Sequence, residues 1–211
     1  MGKYDFFDSD DYGVHRKIVD NVGFGKKVLD VGCAEGNISE KLLLHDCEIV
    51  GIEIDEKSAQ KAKKYCNEVI IGDIESIKLN ERYENYFDII LFADVLEHLK
   101  EPLDVLRMFK FYLKDEGYIM ISLPNIANWR MRLKLLLGNF DYDDYGLLDK
   151  THLRFFNVKG VKKLISDADL EIVNFDVSLN GIKKFPKLFY SISVKWPNLL
   201  AYQFLIIAKK K

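Results

Sequence analysis

The residues able to do chemistry gather at the ends of short apolar runs. VLDVGCAEG (28–36) closes its run on Asp30 and continues through Gly32, Cys33, Ala34 and Gly36. IVGIEI closes on Glu53 and Ile54, VIIGDI on Asp73 and Ile74, and DIILFAD on Ala93 and Asp94. A carboxylate beside a nearly bare loop repels phosphate and welcomes a cation, while glycine lets backbone approach a ligand closely. An acid at the tip of the second run accepts hydrogen bonds from both hydroxyls of a ribose. Ile54 is placed to lie on a purine, and Asp73 to accept from an exocyclic amine.

Two histidines stand apart from these tips. His98 ends Asp94-Val-Leu-Glu97-His98, and His152 lies in Thr151-His152-Leu153-Arg154-Phe155-Phe156. Imidazole titrates near neutrality, so each is a candidate general base or substrate-fixing group. Glu97 is expected in solvent or on nearby backbone. His152 follows a long insertion, residues 125–152, which reads as a lid. Trp129, Arg130, Arg132 and Lys134 give that insertion a basic-aromatic helix. Trp129 and Arg130 are candidate substrate contacts, as is Arg154, whose competing role is an ion pair with a neighbouring acid. The first 25 residues read as an N-terminal cap, with Tyr4, Tyr12 and His15 facing the site and Tyr12 a candidate substrate contact. His15, His45, His98 and His152 show no metal-ligand spacing, and no compact carboxylate cluster suggests magnesium, so no metal is expected.

These side chains need a scaffold that brings strand ends together. Short apolar strands (27–31, 48–54, 68–74, 87–94, 117–124) alternate with amphipathic helices (37–45, 56–66, 104–113). That order implies right-handed βαβ units and a doubly wound, Rossmann-like α/β sheet covered on both faces. In such sheets ligands sit beyond the carboxyl ends of the strands, where all four acidic tips fall. A helix at 158–168, capped by Asn157, follows, and strands at 170–179 and 202–210 read as a hairpin-like pair with little helical pattern between them. The tips together offer places for a cation, a ribose, an adenine and a reacting centre. That set describes S-adenosylmethionine. A dinucleotide would need GxGxxG, and the spacing Gly32-x-Ala34-x-Gly36 does not supply it.

The chain has 211 residues, 48% hydrophobic and 30% charged, enough for one domain spanning 1–211. A net charge of −2 gives no general attraction to nucleic acid. Three cysteines without CxxC spacing suggest a reducing, cytoplasmic setting. The acidic start lacks the apolar stretch of a signal peptide, and no apolar run approaches the roughly 18 residues needed to span a bilayer. KKFPKLFYSISVKWPNLL (183–200) interleaves lysines with aromatics. It suits a sheet-edge cover, a homodimer contact in place of a monomer, or peripheral contact with an anionic membrane.

VLDVGCAEGNIS, VGIEID, IGDIES and FDIILFADVLEHLKEP resemble successive motifs of the class I S-adenosylmethionine-dependent methyltransferases, in the small-molecule branch that contains the ubiquinone-biosynthesis type. THLRFFN and the helix after it resemble the same branch, including methyltransferases of polysaccharide gene clusters. The resemblance implies sheet order 3-2-1-4-5-7-6 with strand 7 antiparallel. It implies Asp30, Gly32 and Gly36 around the methionine portion, Glu53 on the ribose, Ile54, Asp73 and Ile74 around adenine, and the Ala93 backbone at the ammonium. Ala34 stands where the family usually has glycine, and its methyl fits a loop whose φ stays negative. The implied activity is methyl transfer to a hydroxyl or amine of a small molecule, with a sugar or glycan precursor as the suggested acceptor. The alternative is a cofactor-binding module without transfer. A nucleic-acid methyltransferase would carry an Asn/Asp-Pro-Pro-Tyr/Phe motif, which SLPN (122–125) does not match.

Overall fold

The computed structural model describes residues 10–179 and 184–211. Tyr4 and Lys183, named above, lie outside them. Seven strands form one sheet: β1 (Lys27–Val31), β2 (Glu48–Glu53), β3 (Glu68–Ile71), β4 (Phe87–Ala93), β5 (Leu113–Pro124), β6 (Leu170–Ser178) and β7 (Gln203–Lys210). Their order is β3-β2-β1-β4-β5-β7-β6. β1 to β5 run parallel, and β7 lies antiparallel between β5 and β6. Order and polarity are those that the family resemblance implies.

The strands read as unbroken apolar runs because both faces are covered. Side chains alternate along each strand, so neighbours join opposite cores. Leu29 packs into the core beneath α4 (Pro102–Phe109) and α6 (Val158–Asp167). Val28 packs into the other core, beneath α1 (Val14–Val22) and α2 (Asn37–Leu43). Phe87, Phe92, Phe109 and Phe204 are fully buried, each contributing about 1.5–3 kcal/mol. Local signals set the helix boundaries. The Asp55 side chain caps α3 (Glu56–Ala62) through Ser58 N–H at 2.8 Å, and Asn157 caps α6 through Gly160 N–H at 2.8 Å.

One reading changes. The stretch between β6 and β7, which showed little helical pattern, contains α7 (Pro186–Lys195) and α8 (Pro197–Leu200), numbered after α5 (Trp129–Leu136) in the insertion. Both begin with proline at the first turn, a position that needs no N–H. The apolar period is absent because α7 buries so little: Leu188, Phe189 and Val194 are exposed, while Tyr190 packs on the core and Ser193 is buried. Among the described residues, no helix is long and apolar enough to cross a membrane.

Candidate active site

The carboxyl ends of β1 to β4 open into a cavity of about 970 Å³ that takes in every cofactor-binding residue expected from the sequence except Gly36. The loop after β1 is built by close approach. A Cβ on Gly32 would sit 2.7 Å from Val95 Cγ2, and one on Gly36 3.1 Å from Ala62 Cα; both glycines have φ above +70°. Ala34 departs from expectation: its φ is +48°, in the left-handed region where a methyl is strained. The backbone is held there because Ala34 N–H donates to Glu53 Oε2 at 2.9 Å. Gly32 and Cys33 N–H groups both donate to the Ile52 carbonyl. The loop is thereby fastened to the tip of β2.

Asp30 is 2% exposed, and Ser39 donates to its Oδ2 at 2.7 Å. Burial pushes its carboxyl up to about 6, the Ser39 hydrogen bond pulls back, and neighbouring Glu53 adds to the rise. Glu53 accepts from Ala34 N–H through Oε2 and from Asp55 N–H through Oε1 at 2.8 Å. Each oxygen keeps a second lone pair for a further donor. Ile54 is 68% exposed at the cavity wall, an apolar face that a flat ring would cover. Asp73 Oδ1 accepts from Glu75 N–H, which fixes the turn after β3.

The electrostatics are one-sided. Nine carboxylate residues line the cavity (Asp30, Glu35, Glu53, Asp55, Asp73, Glu75, Asp94, Glu97 and Asp149), and among the described residues no lysine or arginine does. Such a lining disfavours a phosphate-bearing ligand and favours a cationic one. A ligand joining an ammonium and a sulfonium to a ribose and an adenine matches these walls: buried acid at the bare loop, oriented acid at β2, apolar faces at Ile54 and Ile74.

Comparison with known proteins decides the family. A methyltransferase domain family matches residues 15–174. The chain belongs to the class I S-adenosylmethionine-dependent methyltransferases. The ubiquinone biosynthesis O-methyltransferase of Haemophilus ducreyi is 34% identical over 110 residues, 48% of this chain and 47% of that protein. The protein of the same name from Idiomarina loihiensis is 26% identical over 165 residues, 75% of this chain and 65% of that protein. The chain thus spans about half the length of the first of these curated relatives. The crystal structure of a Thermotoga maritima methyltransferase, described as a possible histamine N-methyltransferase, superposes with a TM-score of 0.67 at 17% identity, covering 93% of this chain and 87% of that one. That likeness speaks for the fold alone. S-Adenosylmethionine is the methyltransferase's cofactor.

At the other end of the methyltransferase's cavity, His98 and His152 meet edge to face, ring centroids 4.8 Å apart. His98 closes a single 3₁₀ turn, Leu96–His98, after β4. His152 is brought back by the insertion, because the N–H groups of Leu153 and Arg154 both donate to the Glu97 carbonyl, at 2.8 and 3.0 Å. Burial, and then the neighbouring His98, hold the His152 imidazole below its usual range. Glu97, expected in solvent or on nearby backbone, is 1% exposed, so the solvent alternative fails, while its carboxylate does accept from its own backbone N–H. Burial raises its carboxyl well above the usual range, with Asp94 and Asp149 contributing. Its polar motif, DVLEH, carries no sign of burial.

The remaining expected contacts fall elsewhere. Tyr12 tilts against Tyr190, with centroids 5.2 Å apart, where Lys17 and Asp176 complete a polar cluster outside the cavity. Trp129 and Arg130 are exposed on α5, stacked on one another, and do not line the cavity; Met131 is the buried residue of that helix. Arg154 donates to the Lys100 carbonyl and pairs with Glu101 at 3.5 Å, the ion-pair role weighed for it. The insertion instead contributes Tyr145, Gly146, Leu147, Asp149 and His152 to the wall. Sequence reasoning did not single out Asp149, Ser122 or Gln203. Asp94, at φ +55°, is held by Ser122 and Gln203 from β5 and β7, a convergence of distant strands with no local signature.

Proposed function

We propose that the protein transfers a methyl group from S-adenosylmethionine to a hydroxyl of a small molecule that carries no phosphate. The observation that carries this reading is the set of nine carboxylates, with no lysine or arginine among the described lining residues, in the cavity at the open ends of β1 to β4. S-Adenosylmethionine supplies a methyl on a sulfonium, so an oxygen lone pair forms the new C–O bond while the C–S pair returns to sulfur as a neutral thioether. The protein's task is alignment, water exclusion and removal of the acceptor's proton. Asp30 and Glu53 hold the cofactor from one side. His98 and His152 lie on the other, beyond β4, and are the groups we assign to the acceptor's proton.

The relatives' name, ubiquinone biosynthesis O-methyltransferase, favours oxygen over nitrogen as acceptor. A sugar or glycan precursor finds no support in those names. A diphosphate-linked precursor also finds no cation in the cavity to hold it. We assign residues 125–152 a lid role, because the insertion both lines the cavity and carries His152. The cofactor-binding module without transfer is the weaker reading, since it leaves the paired histidines without a task.

Calorimetry with S-adenosylhomocysteine, followed by radiolabelled methyl transfer to a panel of phenols, catechols and polyols, tests the proposal. Expected are cofactor binding and label on a hydroxyl of an uncharged acceptor. Binding with no transfer to any hydroxyl or amine, unchanged by replacing both histidines, would return the binding-module reading.

A further inference from the structure

We propose that Cys33 and Cys66 form a redox-modification site, which a small hydroperoxide closes into a disulfide that tightens the loop after β1 and weakens cofactor binding. The middle of β2 carries a glycine, Gly51, that the backbone does not require, since its φ lies outside the left-handed region. The reason is space. A Cβ on Gly51 would sit 2.7 Å from Cys33 Sγ and 3.3 Å from Cys66 Sγ, so both sulfurs crowd one point above the strand. The third cysteine of the chain is elsewhere: Cys47 Sγ lies 3.7 Å from the carbonyl oxygens of Gly23 and His45.

The two thiols differ, and the difference divides their roles. The Cys33 thiol beside it holds Cys66 below the ordinary thiol range, against the effect of burial, and Ser39 adds to the lowering. The same contact, together with burial, pushes Cys33 up. Cys66 is half-buried, while Cys33 is 6% exposed and lines the cavity. The nucleophilic form of sulfur is the thiolate, so Cys66 attacks. Its sulfur bonds to one peroxide oxygen and the O–O bond breaks. The hydroxide that leaves takes up the proton Cys66 had released, and Cys66 is now a sulfenic acid. Cys33 sulfur then bonds to Cys66 sulfur, the S–O bond breaks, and the departing hydroxide leaves with the Cys33 proton as water. The two sulfurs lose two electrons, and the peroxide gains them as two waters. A half-buried thiol above a strand suits an oxidant of this size better than a bulky disulfide.

The new bond acts on the cavity through the loop. A disulfide is about 2.0 Å long, shorter than any non-bonded contact between two thiols. Cys33 stands between Gly32 and Ala34, both at positive φ, and its N–H is held by the Ile52 carbonyl. Its thiol faces the Ala34 carbonyl at 3.9 Å, a contact that oxidation removes. Cys66 lies on the segment joining α3 to β3, so drawing the sulfurs together draws the loop toward a different element. Ser39, which meets Cys66, also donates to Asp30 Oδ2 at 2.7 Å, so the change reaches the buried acid as well. The effect on affinity rests on the cofactor reading of this loop; formation of the disulfide does not.

Treatment of the reduced chain with a small excess of hydrogen peroxide, followed by thiol blocking and peptide mapping, tests the site. Expected is a peptide pair joined through Cys33 and Cys66, with Cys47 recovered as a free thiol. S-Adenosylhomocysteine affinity, measured by calorimetry, should fall at least about tenfold on oxidation and return with dithiothreitol; that return separates the disulfide from methionine oxidation, which dithiothreitol does not reverse. Cys66→Ala should bind S-adenosylhomocysteine as the reduced native chain does and lose nothing to peroxide. Should that variant fail to fold, the map and the reversible loss in the native chain carry the comparison. Recovery of both thiols free, oxygen adducts on Cys66 with no link to Cys33, or a complete disulfide with unchanged affinity overturns the proposal. A reduced chain that does not bind S-adenosylhomocysteine would sink the cofactor reading and the effect on affinity, while the map still decides the disulfide, so the two failures are distinguishable.

Discussion

The backbone N–H of Ala34 donates to the carboxylate of Glu53 across 2.9 Å, so one acid both shapes the small-residue loop after β1 and lines the cavity, where we propose that it meets the ribose. Its other oxygen accepts from Asp55 N–H. Glu53→Gln keeps the shape but places an amide N–H₂ against one of these two donors. The loss is expected to cost about 1–2 kcal/mol of stability. It should also weaken S-adenosylhomocysteine by at least about tenfold. Thermal unfolding and calorimetry on the same preparation check both. An unchanged affinity would remove Glu53 from the cofactor's contacts.

Ala34→Gly isolates the strain in that loop. Alanine at φ +48° pays for a left-handed conformation, a cost of about 1–2 kcal/mol. Glycine removes it but loses about 0.4–1 kcal/mol to the greater freedom of the unfolded chain. The first effect is larger, so the variant should be more stable by up to about 1.5 kcal/mol, seen as a higher Tm. A lower Tm would mean that the methyl makes packing contacts worth more than its strain.

The sheet was legible because its parallel strands are buried on both faces, and buried strands appear as apolar runs. The acids that interrupt those runs, Asp30 and Glu53, are where the cavity opens, so that wall of the cavity was legible too. The acceptor wall was only half so. His98 and His152 stand out by residue type, but their meeting depends on the Leu153 and Arg154 N–H groups finding the Glu97 carbonyl, and backbone bonds leave no mark on composition. Glu97 reads as a surface acid because a burial that follows from folding over a long insertion has no local period. Trp129 and Arg130 mislead for the converse reason: α5 docks through Met131 and turns its basic-aromatic side to solvent.

Asp30 links stability to pH. Its carboxyl titrates near 6 in the folded chain against an ordinary value of 3.8, mainly through burial. For an acid whose folded value is raised, the folded state binds the extra proton between those limits. The resulting stabilisation is present below about pH 4 and is lost as pH rises through 6. Asp30→Asn, which can still accept from Ser39, should therefore be more stable than the native chain above pH 6, on the order of 2 kcal/mol, with the advantage vanishing near pH 4. The same replacement should weaken the cationic cofactor. In the native chain, S-adenosylmethionine affinity should fall as pH drops below about 6, by about tenfold per unit once Asp30 is mostly protonated. Unfolding curves and calorimetry at pH 4, 6 and 8 give both signs. An Asn variant that is less stable at pH 8 would show that the buried charge is already compensated.

Ser122 supports Asp94 in a way that one substitution can expose. Its hydroxyl accepts from Asp94 N–H at 2.9 Å and donates to Asp94 Oδ1 at 2.8 Å, while Gln203 reaches the same oxygen at 2.9 Å. Ser122 is fully buried, so Ser122→Ala leaves a backbone donor unpaired where water has little access. The expected cost is about 1–3 kcal/mol, read from denaturant unfolding. Because Asp94 sits at φ +55° immediately after Ala93, losing its anchor should also let the tip of β4 relax. Cofactor affinity and turnover should then fall together, while Gln203→Leu, which removes one of the two donors to Oδ1 and leaves the backbone bond intact, should cost less of each. If Gln203→Leu proves the more damaging, the side-chain bond from β7 and not the hydroxyl from β5 holds the β4 tip in place.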